Sequence, residues 1–96
     1  MKEKTIENKI KDYLFSKRIY HFKVHGSEFM QKGIPDIVAC CNGKFIGIEL
    51  KRTNALNEQS EYQKIHEKNI KESGGIYLLT DNLEKVVDLI EHIAEN

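Results

Sequence analysis

The dipeptide Asn42-Gly43, set between the apolar runs IPDIVACC and KFIGIELK, constrains this chain more than any other feature. A two-residue type I′ turn needs positive φ at both central positions, which Asn and Gly accept, so residues 34–51 read as a β-hairpin. A two-residue loop also fixes the register. Cys41 then faces Lys44, and every facing pair has residue numbers that sum to 85. Counting back places Asp36 opposite Glu49. Facing residues share one side of a sheet with Cβ atoms about 5 Å apart, and two like charges there destabilise the pair. A divalent cation bridging the carboxylates removes that conflict. Lys51 lies two residues beyond Glu49 and points to the same side. The Leu50 backbone carbonyl lies between these two side chains. Oxygen ligands of this kind suit Mg²⁺ or Mn²⁺. A surface salt bridge from Lys51 to the acids is the competing reading.

The two sides of the hairpin differ. One carries Ile37, Ala39, Cys41, Ile46, Ile48 and Leu50. The other is apolar near the turn (Val38, Cys40, Phe45) and charged at the open end (Asp36, Glu49, Lys51). Gly47, facing Val38, is expected to leave room beside Glu49. Strands buried on both sides at one end and polar at the other predict a sheet covered by helices, with a site at its rim.

Ninety-six residues make one domain with one modest core, residues 1–96. The formal net charge is zero, so no general basic field announces a nucleic-acid partner, and any contact with phosphates must be local. No apolar run is long enough to span a membrane, and the amino terminus MKEKTIENKIKD is charged throughout, unlike a signal peptide. The two cysteines are adjacent and would be strained as a disulfide. They read as reduced residues of a cytoplasmic protein.

Residues 4–17 read as a helix with Ile6, Ile10, Tyr13 and Leu14 on one stripe and Glu7 at its border. Residues 19–25 read as a strand in which Tyr20, Phe22 and Val24 alternate with a basic, solvated set, His21, Lys23 and His25. The loop 26–33 carries Phe29 and Met30 and reads as a substrate-contacting flap or a cover for the core. Pro35 fixes the backbone before Asp36 and removes one ladder donor, as at a strand start. A second helix is expected over 57–73, capped by Asn57 and stopped by Gly74-Gly75, with Gln59, Gln63, His66 and Ile70 on one face. Polar residues at the start of that stripe leave two readings, Gln63 pointing at the site rim or a polar helix end protruding into water. The run IYLLT, 76–80, predicts a strand buried on both faces and parallel to the one before it. Asp81 is expected to cap a last helix, with Glu84 completing a capping box. Leu83, Val86, Val87, Ile90, Ile93 and Ala94 form its apolar stripe. The order is α-β-β-β-α-β-α, an α/β fold with a mixed sheet flanked by helices.

The hairpin also matches a family pattern. Pro35-Asp36, twelve intervening residues and Glu49-Leu50-Lys51 form the PD-(D/E)XK nuclease signature. With His25-Gly26-Ser27, Gly33-Ile34, Arg52, Gln59, Gln63 and Gly74-Gly75, the chain over about residues 5–80 resembles the VRR-NUC branch, in the short standalone form that bacteriophages carry. The resemblance implies a restriction-endonuclease-like fold and a metal-dependent DNA endonuclease in the cytoplasm of a bacterial or phage-infected host cell. It implies that Asp36, Glu49 and the Leu50 carbonyl bind Mg²⁺ or Mn²⁺, with Glu7 joining through water. Lys51 would activate the attacking water and steady the developing charge, and Gln63 would lie near the metal. Standalone members also resemble Holliday-junction resolvases, which implies branched DNA as substrate and a homodimer, with Phe29, Met30 or an outer helix face as the contact. Lys23, Lys32 and Arg52 are then candidate phosphate contacts. A non-cleaving DNA-binding module and an accessory subunit of a larger replication or repair complex are the alternatives. A domain that only binds gains nothing from facing carboxylates, and a pull-down partner together with inactivity would favour the accessory subunit.

Overall fold

The structure is a computed structural model that describes residues 2–28 and 30–95; Phe29, expected in the apolar flap, lies outside the described residues. Helix α1 spans Glu3–Ser16, followed by strands β1 (Tyr20–Lys23), β2 (Ile37–Cys41) and β3 (Lys44–Leu50). Helix α2 (Glu61–Glu72), strand β4 (Ile76–Thr80) and helix α3 (Leu83–Ala94) complete the order expected from the sequence. The four strands form one sheet in the order β1-β2-β3-β4.

The hairpin turns as its two central residues require, with φ of 53° at Asn42 and 80° at Gly43. Cys41 pairs with Lys44 and Ile37 with Ile48, the expected register. β1 runs antiparallel to β2, pairing Tyr20 with Cys40 and Phe22 with Val38. β3 and β4 are parallel, with Gly47 beside Tyr77 and Leu50 beside Thr80.

The period of two sorts the sheet into two unlike faces. One presents Ile37, Ala39, Ile46 and Ile48 to Ile6, Ile10 and Leu14 of α1 and to Val86, Ile90 and Ile93 of α3. Ile10, Leu14, Ile37, Ile46 and Ile48 are completely buried. Each such side chain contributes about 1.5–3 kcal/mol through the water it sheds, so this face holds the fold together.

The other face has only α2, laid over β3 and β4. Gly47 permits the approach: a Cβ there would lie 2.8 Å from Pro35 Cγ and 3.2 Å from Ile70 Cδ1. The space above Gly47 is therefore filled by Pro35 and Ile70 and is not left open beside Glu49. Over β1 and β2 no helix lies among the described residues. Tyr20 and Phe22 are 74 and 48% exposed there, Cys40 is exposed, and its β3 neighbour Phe45 is 44% exposed. This inverts the expected polarity of β1. His21 and Lys23 face the α1 side and are half-buried, while the aromatic set meets water. The turn end of the hairpin is likewise buried on one side only.

Three local expectations differ from the structure. Helix α2 starts at Glu61, because Ser60 accepts from Gln63 N at 3.1 Å while Gln63 Oε1 accepts from Ser60 N at 2.9 Å. That reciprocal cap satisfies two end donors, which Asn57 alone does not. The chain before it instead holds a 3₁₀ turn at Thr53–Ala55, which buries Ala55. Helix α3 is capped by Asn82, whose side chain accepts from Lys85 N at 3.0 Å. Asp81 pairs with Lys85 Nζ at 3.3 Å. Strand β4 is an edge strand, and Ile76, Leu78 and Leu79 are only half-buried despite the apolar run. Among the described residues no helix is long and apolar enough to cross a membrane.

Candidate metal and catalytic site

Pro35 ends the β2–β3 ladder and so creates the site. By the register it stands opposite Leu50, and it has no N–H to give. The Leu50 N–H donates instead to Asp36 Oδ2 at 2.7 Å. In an antiparallel ladder the N–H and C=O of one residue point to the same neighbouring strand. The Leu50 carbonyl therefore faces the Asp36 side of β3 with no donor from Pro35. The next residue points the other way, as Lys51 N donates to Thr80 O at 3.0 Å. Asp36 and Glu49 thus lie near enough at the open end of the hairpin for the charge of one to act on the other.

Glu49 is the unusual member. It is only 5% exposed. Gln63 Nε2 donates to its Oε1 at 2.6 Å. Its Oε2 is buried and has no hydrogen-bond partner. Burial and the charge of Asp36 push the Glu49 carboxyl up to about 8, against the downward pull of Lys51 and of the Gln63 hydrogen bond. Burial also raises Asp36, which the Leu50 N–H and the Lys23 charge pull back in part. A buried, unpartnered oxygen on a carboxyl held above neutrality needs either a proton or a cation. Asp36, Glu49 and the Leu50 carbonyl fit a hard divalent ion that keeps several of its own waters. Among the described residues no group of three or more His, Cys, Asp or Glu is placed to hold a metal ion.

Gln63 is positioned from two sides. Its amide closes the Ser60 cap and reaches Glu49 with its other end. The loop before Pro35 presses on the same helical turn: Gly33 has φ 82°, and a Cβ there would lie 2.5 Å from Tyr62 C and 2.7 Å from Gln63 N. Only glycine permits that contact. Gln59, expected on the same helix face, lies before the helix begins. Its Nε2 donates to Glu67 Oε1 at 3.0 Å and to the Tyr77 hydroxyl at 3.2 Å. Burial holds Tyr77 up to about 12, with Glu49 among the charges that raise it, so this phenol stays protonated beside the acids. The sequence reading passed over Tyr77; its alternation with Leu79 on the strand parallel to β3 was the available signal.

Glu7 occupies a different environment. It lies with α1 on the opposite face of the sheet, where Lys23 Nζ stands 2.7 Å from Oε1, and Lys11 and Lys4 stand 3.1 and 3.2 Å from Oε2. Burial alone would raise its carboxyl, but the hydrogen bonds from Lys23, Lys11 and Lys4 hold it at about 2. The charge of Glu7 nevertheless acts on Asp36, as does that of Glu3 one turn before it, and Glu3 acts on Glu49 as well. Its i, i+4 spacing from Glu7 was the clue in the sequence.

The candidate phosphate contacts are scattered. Lys23 is committed to Glu7. Lys32 Nζ lies 5.6 Å from the centre of the Tyr62 ring. Arg52 is exposed just before the 3₁₀ turn. Lys51 is half-buried, and its charge acts on Glu49. Beside Asp36 a cavity of about 330 Å³ opens, lined by Val24, Met30, Lys32, Gly33 and Pro35 among others. Comparison of the chain with protein-family models, with curated proteins and with solved structures gives no match, so the reading of this site rests on its own geometry.

Proposed function

We propose that the protein is a divalent-metal-dependent DNA endonuclease of the PD-(D/E)XK type that hydrolyses phosphodiester bonds. The observation that carries the reading is the buried, unpartnered Oε2 of Glu49, on a carboxyl raised to about 8 beside Asp36. A core acid serving stability alone would be paired, as Glu7 is. Asp36, Glu49 and the Leu50 carbonyl would hold Mg²⁺ or Mn²⁺. When bound, such an ion supplies a hydroxide at neutral pH and neutralises charge on the phosphate.

The residues divide the remaining work. Gln63 holds Glu49 Oε1 and leaves Oε2 as the ligand atom. Lys51 orients the attacking water and offsets the negative charge that grows on the phosphate as the new P–O bond forms. The old P–O bond would break, and the leaving alkoxide would take up a proton from solvent water, so that one water is consumed in all. The cavity beside Asp36 gives the strand an approach, with Lys32 at its wall. One such site cuts one strand; selective cutting of branched DNA in both strands takes two copies related by a two-fold axis.

The test is cleavage of a linear duplex, a flap and a four-way junction in Mg²⁺, Mn²⁺ or EDTA, with Glu49→Ala as control. Metal-dependent products absent in the mutant support the nuclease, and the ranking of substrates decides the preference for branched DNA. Binding without cleavage in every metal overturns the enzyme reading in favour of a DNA-binding module.

A further inference from the structure

Every other ion pair among the described residues joins one lysine to one acid. Glu7 gathers three. Lys23 Nζ stands 2.7 Å from Oε1, and Lys11 and Lys4 share Oε2 at 3.1 and 3.2 Å. One cation balances one buried carboxylate, so this group carries two positive charges beyond what Glu7 needs. Lys4 and Lys11, held on a common oxygen, also stand close enough to repel one another. A structural role accounts for one of these lysines and leaves the other two without a purpose. In a chain whose formal net charge is zero, such a local surplus is an exception.

The group lies at the end of the sheet that holds the facing acids. β1 ends at Lys23, and the N–H of the next residue, Val24, donates to the Asp36 carbonyl at 2.8 Å. The first turn of α1 is at the same end, since the charge of Glu3 acts on both Asp36 and Glu49. The lysines are open to water over a closed floor. Their side chains are 71, 32 and 26% exposed for Lys4, Lys11 and Lys23, against 6% for Glu7. Each ammonium has three N–H donors and its pair with Glu7 takes one, so donors remain at the rim for an outside acceptor.

We infer that Glu7 gathers Lys4, Lys11 and Lys23 into a binding site for a backbone phosphate of the DNA strand, beside the phosphate that is cut. The identity of the ligand rests on the nuclease reading; the surplus charge does not. A phosphodiester has two unesterified oxygens that accept from ammonium groups, and such contacts fix the register of a strand without reading its sequence. The three ammonium groups repel a metal ion, so Glu7 serves as a positioning residue for phosphate contacts and not as a further acid on the metal. Lys4 and Lys11 sit about one helical turn either side of Glu7, and Lys23 comes from β1, so the helix and the sheet together set the spacing.

The experiment is fluorescence anisotropy of a labelled DNA duplex across a salt series at pH 7 in EDTA, where neither metal nor cleavage enters. Log affinity falls linearly with log salt, with a slope set by the phosphates neutralised. Lys4→Gln combined with Lys11→Gln leaves Lys23 on Glu7, and should weaken binding and lower that slope by about one, the step of one phosphate contact. The charge-matched pair Lys68→Gln and Lys71→Gln, in the second half of α2, should keep the wild-type slope. Lys4→Arg with Lys11→Arg should restore it. Glu7→Gln adds a positive charge and should still weaken binding, because the lysines lose the anchor that gathers them. An unchanged slope in the Lys4 and Lys11 variant, equal losses in both glutamine pairs, or no binding by wild type overturns the inference. Tighter binding by Glu7→Gln overturns the gathering role, and displacement of the duplex by inorganic phosphate at matched ionic strength overturns the strand as the ligand. The expected slope change without cleavage in any metal keeps this site and removes the nuclease; cleavage with an unchanged slope does the reverse.

Discussion

Glu7 and Glu49 are the same residue type at the same 5% exposure, and the protein drives them in opposite directions, to about 2 and about 8. Burial raises both. The difference lies in the neighbours. Glu7 meets three ammonium groups within 3.2 Å, while Glu49 meets one amide donor and a second carboxyl. Glu7 is therefore neutralised by three ion pairs, while Glu49 has the Lys51 charge nearby but makes no ion pair among the described residues. An incomplete pair of acids opposite one another, with a lysine two residues on, is what a nuclease rim requires and what a purely structural rim avoids.

The largest expected effect separates chemistry from binding at the incomplete rim. Lys51→Ala should lower cleavage by about 10²–10⁴-fold while Mn²⁺ affinity and the melting curve hold, a loss of the size seen when a charge acting on the transition state is removed. Equal losses of metal affinity and rate would assign Lys51 to the binding site instead.

The pH dependence sharpens the contrast. In EDTA the folded Glu49 keeps its proton up to about 8 while the unfolded chain releases it near 4.5. The folded state binds more protons across that window, so this group's contribution to stability falls as pH rises from 4.5 to about 8, by a few kcal/mol. Glu7 has the reverse sign. Its contribution is present above 4.5 and is lost as pH falls toward about 2. Chemical denaturation of wild type and Glu49→Gln across pH 4–9 should show the decline in wild type and a flatter profile in the mutant. Superimposable profiles would remove the Glu49 shift.

Glu7→Gln should destabilise the fold by about 1–3 kcal/mol at pH 7, since it leaves Lys23 and two further lysines without their acid. It should leave Mn²⁺ affinity unchanged. A clear loss of Mn²⁺ affinity in calorimetry would instead place Glu7 on the metal through water. Gln63→Ala removes half of the Ser60 cap and the donor to Glu49, and should cost about 1 kcal/mol in denaturant melts. Asp36→Asn keeps an acceptor for the Leu50 N–H and removes one charge from beside Glu49. In EDTA it should raise stability by up to ~1 kcal/mol, and a lower melting temperature would count against the facing pair.

The hairpin and its acids were legible because a two-residue turn leaves only one register, and register alone sets which side chains meet. The strand at 76–80 and the final helix were legible for a similar local reason, a short apolar run and an unbroken stripe. The polarity of β1 was not. Alternation shows two faces but not which one a distant helix will cover, and here Glu7 neutralises Lys23 so that the basic set turns toward α1. The start of α2 was misplaced at Asn57 because the reciprocal bonds between Ser60 and Gln63, which fix the cap, are not visible in cap preference alone. Glu3 and Tyr77 carried only weak local signals, an i, i+4 spacing and a strand alternation, and which way those faces turn is set by long-range packing.

The most direct test of the central claim is calorimetric titration of Mn²⁺ into the protein at pH 7 in two buffers of different ionisation enthalpy. If Asp36 and Glu49 form the cation site, wild type binds Mn²⁺ and releases about one proton per ion, because Glu49 must give up the proton it holds. Glu49→Gln should then lose both the affinity and the proton. Binding of equal strength in the mutant, or binding by wild type with no proton released, would contradict the account.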